Sequence, residues 1–283
     1  MIARLSPLAL VLAVGILGCS QEQERAVVPA ASAASAPHAA HVVQPAVKAA
    51  VAAVAEGAGG LSGTVVWKDN PPPVMMPLNL GASADKAVCE KKGPVMDESA
   101  VVNPKNKGLR DVIIWLEPAV KGEKFTIPAN LAKPAVAKVP LDQPNCAFIP
   151  HALVIREGQL LVAKNSSTIA HNFKWQGIAD GNAGNKLLPP GGEVEIELKA
   201  EKLPISIECN IHPWMKGYVK VIDHPYYAVT DADGKFTIPN PPAGACKLKI
   251  WHGSKGWLNG REGAKGKDIT ASGAAQDLGT FQY

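Results

Sequence analysis

The sequence predicts an all-β protein built as a β-sandwich, and three observations predict it. Short runs of β-branched and aromatic residues recur between Gly- and Pro-rich breaks. The chain carries 24 Pro and 26 Gly, and no stretch sustains the 3.6-residue period of a long helix. Residues 193–199, Glu-Val-Glu-Ile-Glu-Leu-Lys, alternate strictly, so Val194, Ile196 and Leu198 face a core while the charges face water. A length of 283 residues suffices for one or two domains and additional segments. A formal charge of +4, from 29 basic and 25 acidic residues, is too small and too scattered for a nucleic-acid surface.

In chain order, residues 1–18 form a targeting segment. Arg4 supplies positive charge, and residues 8–17 are an apolar run too short to span a bilayer. The run ends in Gly18-Cys19-Ser20, which resembles the bacterial lipoprotein signal. That resemblance implies lipid on Cys19, export, and a position at the periplasmic face of a bacterial membrane. Residues 19–60 are rich in Ala, Val, Pro and Gln, without an amphipathic period, and read as a disordered tether. His38 and His41 are solvated residues of that tether.

Residues 61–150 read as a β-rich N-terminal extension, with strands expected at 63–67 and 111–116, each ended by proline. Residues 151–222 hold the densest strand pattern. A hairpin is expected from 152–155 and 159–163 around Glu157-Gly158, followed by strands at 193–199, 204–209 and 217–222. Residues 223–283 form a last module, whose Asp231-Ala-Asp233-Gly234 is a turn signal between two strands. About 60 residues is marginal for an independent core, so this module is expected to pack on the rest or to borrow a strand.

The chemistry lies in Cys209-Asn-Ile-His212-Pro-Trp-Met215, between two expected strands, with His171-Asn172 upstream. Taken singly, Cys209 reads as a buried thiol, His212 as a satisfied histidine and Met215 as core filling. Together they supply one thiolate, two imidazoles and a thioether, the donor set of a mononuclear blue copper centre. Zinc prefers four strong donors and gains little from a thioether. His151, His224 and His252 lack partners at ligand spacing and read as structural. Cys19 is assigned to lipid and Cys209 to metal. Cys89, Cys146 and Cys246 then allow one disulfide and one free thiol, with Cys89 and Cys146 the preferred pair because they share a segment.

The segment 152–222 resembles the cupredoxin family, and within it the amicyanins. The resemblance rests on His171-Asn172, on the Cys-x-x-His-x-x-Met loop, and on Lys-Gly-x-Val-x-Val at residues 216–221. It implies a Greek-key β-sandwich holding one type 1 copper, with His171, Cys209 and His212 as strong ligands and Met215 as the axial one. It implies that Asn172 hydrogen-bonds the ligand loop and that His212 emerges at an apolar docking patch formed with Pro213 and Trp214. Residues 223–283 resemble the carboxypeptidase-regulatory-like, transthyretin-type β-modules, which are appended and not catalytic.

The expected function is therefore one-electron transfer by a monomeric, non-enzymatic protein between redox partners. Lys174, Lys216 and Lys220 lie near the ligands in sequence and suggest an acidic partner surface, or else solvated strand-edge charges. The alternatives are a copper reservoir or delivery lipoprotein, and a structural surface protein with a vestigial site. No His-x-His occurs among the seven histidines, which excludes the clustered centres of multicopper oxidases. Cys-x-x-Cys-His, Cys-x-x-x-Cys, Gly-x-Ser-x-Gly and His-Glu-x-x-His are also missing, so haem attachment, binuclear copper and hydrolase chemistry have no support.

Overall fold

The computed structural model describes residues 59–283. The targeting segment, Cys19, His38 and His41 lie outside the described residues. The strands, in chain order, are β1 (Gly60–Val66), β2 (Ile113–Pro118), β3 (Lys138–Leu141), β4 (Ala152–Arg156), β5 (Leu160–Lys164), β6 (His171–Gln176), β7 (Ala183–Leu188) and β8 (Glu193–Glu197). They continue with β9 (Ile205–Glu208), β10 (Lys216–Ile222), β11 (Tyr227–Val229), β12 (Lys235–Pro239), β13 (Gly244–His252), β14 (Gly256–Trp257), β15 (Lys267–Ala271) and β16 (Gln276–Gln282). The α-helix of the described residues is confined to single turns, so the chain is all-β as its turn chemistry and alternation predict.

Two sandwiches result. In the first, a sheet of order β3-β5-β8 faces a sheet of order β4-β10-β9-β6-β7. Leu141, Phe148, Ile155, Leu161, Phe173, Ile207 and Val219 are buried between them. In the second, a sheet of order β12-β1-β16 faces β11-β2-β13-β14, with β15 alongside β13. Its core holds Leu61, Val65, Ile114, Leu116, Tyr226, Phe236 and Leu248.

A third apolar seam joins the two. Ile113 and Trp115 of β2 pack with Ala152 and Val154 of β4 and with Ile222 of β10. Successive side chains of a strand point to opposite faces. So β4 turns Leu153 and Ile155 into the first core, and Ala152 and Val154 into the seam. Burial on both faces explains why β4 is a continuous apolar run instead of an alternating one.

The segment expected as one N-terminal extension divides between the sandwiches. β3 joins the first, through parallel pairing of Lys138–Leu141 with Leu160–Ala163. β1 and β2 belong to the second. β1 lies antiparallel to β12 and parallel to β16, while β2 lies between β11 and β13. The C-terminal module thus completes its core with two strands from the other end of the chain. The turn at Asp231–Gly234 docks against this frame, where Gly234 has φ +73° and a Cβ there would lie 2.2 Å from the Val65 carbonyl oxygen.

Candidate metal centre

The strand β9 ends at Glu208 and β10 begins at Lys216, and the two pair antiparallel across Glu208 and Lys216. Cys209 through Met215 is therefore the loop that connects adjacent strands. Its neck is closed by the Cys209 N–H, which donates to the Met215 carbonyl (3.3 Å). Inside it the Met215 N–H donates to the His212 carbonyl (2.9 Å). β6 runs antiparallel on the other side of β9, with Lys174 opposite Glu208. That register carries the start of β6, His171 and Asn172, past the end of β9 and alongside the loop. Thirty-eight residues of sequence separation are removed by one hydrogen-bonded register.

The Nδ1 atoms of His171 and His212 face each other at 2.9 Å. Sγ of Cys209 lies 4.0 Å from the first and 3.8 Å from the second. All three residues are buried, and their donor atoms fall within 4.8 Å of one another. Met215 is buried in the same core cluster as Cys209. An ion held about 2.0 Å from nitrogen and about 2.3 Å from sulfur needs donors roughly 3–4 Å apart. The three groups meet that requirement, and all three side chains are buried.

Asn172 holds the loop. Its Oδ1 accepts the N–H groups of Asn210 (2.7 Å) and Ile211 (3.2 Å), and the Cys209 thiol lies 3.4 Å from the same oxygen. Its Nδ2 donates to Asn185 Oδ1 on β7 (2.8 Å). Burial by itself pushes the Cys209 thiol up. Hydrogen bonds from His171 and His212, helped by the Asn172 backbone, outweigh that and bring it down to about 6. The thiolate is the form that ligates metal. Burial likewise opposes a charged His212, but Cys209 and Asp85 prevail and raise its pKa.

Several residues depart from what the sequence suggested. His212 does not emerge at a surface: it is 0% exposed, and its Nε2 meets Asp85 Oδ2 at 3.0 Å. Pro213 is exposed. Trp214 is half-buried against the core and donates its indole N–H to the Cys146 carbonyl (3.3 Å), so it is partly used in packing. Lys220 is buried, not a docking charge. Its ammonium is satisfied by the carbonyls of Glu201 and Val221 and lies 5.2 Å from the Trp115 ring centroid. Lys174 pairs with Glu208 at 3.3 Å, and Lys216 stays exposed.

Cys89 and Cys146 form a disulfide, and Cys246 is a buried free thiol. His224 and His252 are buried in packing positions. His151 packs edge-on against Tyr218. Two participants escaped the sequence: Asn185, which anchors Asn172, and Asp85, which lies 127 residues from His212. Neither sits in a motif, and no local signal marks either.

No family model and no curated protein matches the chain. Among solved structures it is similar to a purple cupredoxin from Nitrosopumilus maritimus, at 23% identity over 29% of this chain and 98% of that one, with a TM-score of 0.26. It is similar to a reduced amicyanin variant at 19% identity, over 31% of this chain and 85% of that one, TM-score 0.28. A copper-containing nitrite reductase from Thermus scotoductus shares 20% identity over 38% of this chain and 25% of that one, TM-score 0.28. At such TM-scores the likeness decides nothing about activity.

Proposed function

We propose that this chain is a type 1 copper protein that carries single electrons, and that it does so while anchored at the periplasmic face of a bacterial membrane. The observation that carries the reading is the convergence of His171 Nδ1, His212 Nδ1 and Cys209 Sγ at 2.9–4.0 Å in a closed site, with Met215 buried in the same loop. The donor chemistry favours copper over zinc, because the fourth candidate is a thioether. Copper, when bound, supplies a one-electron couple that needs neither a proton nor a substrate.

The chain's own residues do the rest. β6, β9 and β10 set the positions of the donors through their ladders. Asn172 ties the loop to β6 and thereby holds Cys209 and His212 in one arrangement. Phe148, Phe173 and Val219 are buried in the same core cluster as Cys209 and Met215, which gives the site an apolar backing. A rigid, dry cage lowers the rearrangement needed when charge changes. Redox partners are proposed to approach the exposed residues beside the loop, Ile211, Pro213 and Lys216, and an acidic partner would make electron transfer slow with rising ionic strength. Gly18-Cys19 after an apolar run supports the lipid anchor, and Cys19→Ala should move the protein from membrane to soluble fraction.

The deciding experiment is an optical and EPR spectrum of the copper-loaded protein. We expect an intense visible Cys-to-Cu(II) charge-transfer band that vanishes on reduction, returns on oxidation, and is missing in Cys209→Ser. A protein that takes up no copper would leave a structural surface lipoprotein with a vestigial site.

One observation favours a second reading. His212 is buried and its Nε2 meets Asp85, which suits storage or delivery of copper as well as exchange of electrons. A delivery protein would surrender Cu(I) readily to a chelator. A carrier would keep it through repeated reduction and oxidation.

A further inference from the structure

Residues 76–97 form a closed loop packed against the first core. Its base is pinned where Leu78 N–H donates to the Val95 carbonyl and Asp97 N–H to the Met76 carbonyl, each at 2.8 Å. Leu80, Cys89 and Val95 are buried in the first core, beside Cys209 and Met215. The Cys89–Cys146 disulfide fastens the loop to the segment that precedes β4. Between these fixed points stands Asp85. Its carbonyl accepts the N–H groups of Val88 (3.0 Å) and Cys89 (2.9 Å), so its backbone is held within one helical turn of the crosslink. Its carboxylate reaches outward only in part, with a side-chain exposure of 34%, and meets His212 Nε2 at 3.0 Å.

A carboxylate accepts hydrogen bonds and does not donate them. The contact therefore places a proton on Nε2 of His212, and in the neutral ring this leaves the Nδ1 lone pair facing Cys209 and His171. The other imidazole lacks such a hold: Nε2 of His171 is buried and finds no protein partner. One imidazole of the centre is thus held at its far nitrogen by the loop, while the far nitrogen of the other meets no protein group.

We propose that Asp85, carried on a disulfide-tied cap, is a positioning residue for His212: it selects the metal-binding tautomer, adds negative charge behind the ring, and closes the edge of the site. The proposal rests on the metal reading given above. A carboxylate behind a ligating imidazole raises its basicity, and losing such a partner typically costs about 10–100-fold in metal affinity. The more highly charged ion gains most from the added charge, so Asp85 favours Cu(II) over Cu(I). The cap also obstructs the approach of chelators to His212.

The test has two arms on the full chain. The first uses metal-free protein and needs no copper. Hydrogen exchange at the His212 Nε2–H, read by NMR, should be slow in the wild type and in Asp85→Glu, and fast in Asp85→Ala. The second compares copper-loaded proteins. A tenfold loss of Cu(II) relative to Cu(I) affinity in Asp85→Ala raises the potential by about 59 mV for a one-electron couple. In Asp85→Asn, which retains an acceptor oxygen without the charge, the potential should rise while the exchange stays slow. Equal exchange in wild type and Asp85→Ala, or equal potentials in all loaded proteins, would overturn the proposal. If the wild type takes up no copper, the metal reading falls and the exchange comparison alone decides whether Asp85 positions the ring.

Discussion

One amide organises the ligand loop. Asn172 uses its oxygen on two backbone N–H groups of the loop and its nitrogen on Asn185, so a single side chain links β6, β7 and the loop between β9 and β10. Removing the acceptor leaves two part-buried donors without their protein partner, at a cost of at most about 1–3 kcal/mol per group and less where water reaches them. Asn172→Ala is expected to destabilise the metal-free protein by that order in urea unfolding, and to weaken metal retention about 10–100-fold in chelator competition. Asn172→Asp, which restores an acceptor, should recover part of both. The pairing of His171 with Asn172 is visible in the sequence, and resemblance implied the contact to the loop. The anchor on Asn185 is not visible, because an Asn in an irregular polar stretch has many equivalent readings.

At the scale of single elements, β1 decides whether the second sandwich exists. It is the central strand of its sheet, with hydrogen bonds to β12 on one side and β16 on the other. It also inserts Leu61 and Val65 into the core at 0% exposure. Deleting residues 60–66 opens two sheet edges at once and removes two core side chains. The expected result is loss of a cooperative unfolding transition for the C-terminal module and aggregation through the bared edges of β12 and β16. Circular dichroism during thermal unfolding and analytical size exclusion would read it. The β-branched and aromatic run at residues 63–67 is legible as a strand. Its partners are not, since a period of two says which face is buried and nothing about which strand lies alongside.

Across the whole molecule, the seam of Ile113, Trp115, Ala152, Val154 and Ile222 couples the sandwiches. Trp115 is 2% exposed and makes ring contacts with Trp257. Trp115→Ala is expected to cost about 3–5 kcal/mol. It should also split one unfolding transition into two, which differential scanning calorimetry would resolve. Acid acts on the same assembly. Burial lowers the pKa of His224 and of His252 from 6.5 to about 4. Above 6.5 both histidines are neutral in folded and unfolded chains and contribute nothing to pH dependence. As pH falls from 6.5 towards 4, the unfolded chain takes up protons that the folded one refuses, so stability drops, by on the order of 1–3 kcal/mol per histidine. Urea midpoints measured between neutral pH and pH 4 should fall, and replacing both histidines with Gln should flatten the curve.

What could be read from residues in a row was whatever depends on neighbours in a row. Alternation marks buried faces, Gly and Pro mark turns, and the spacing of Cys209, His212 and Met215 confines three donor types to one short loop. Composition and missing motifs narrowed the chemistry further. What needed the folded molecule was every relation made across long separations: β1 beside β16, β2 beside β13, and Asp85 behind His212. Such contacts are set by strand register, by a crosslink and by the shape of a packed core. None of these leaves a local trace, because an aspartate in a surface loop has the same neighbours in sequence whether it faces water or a buried imidazole.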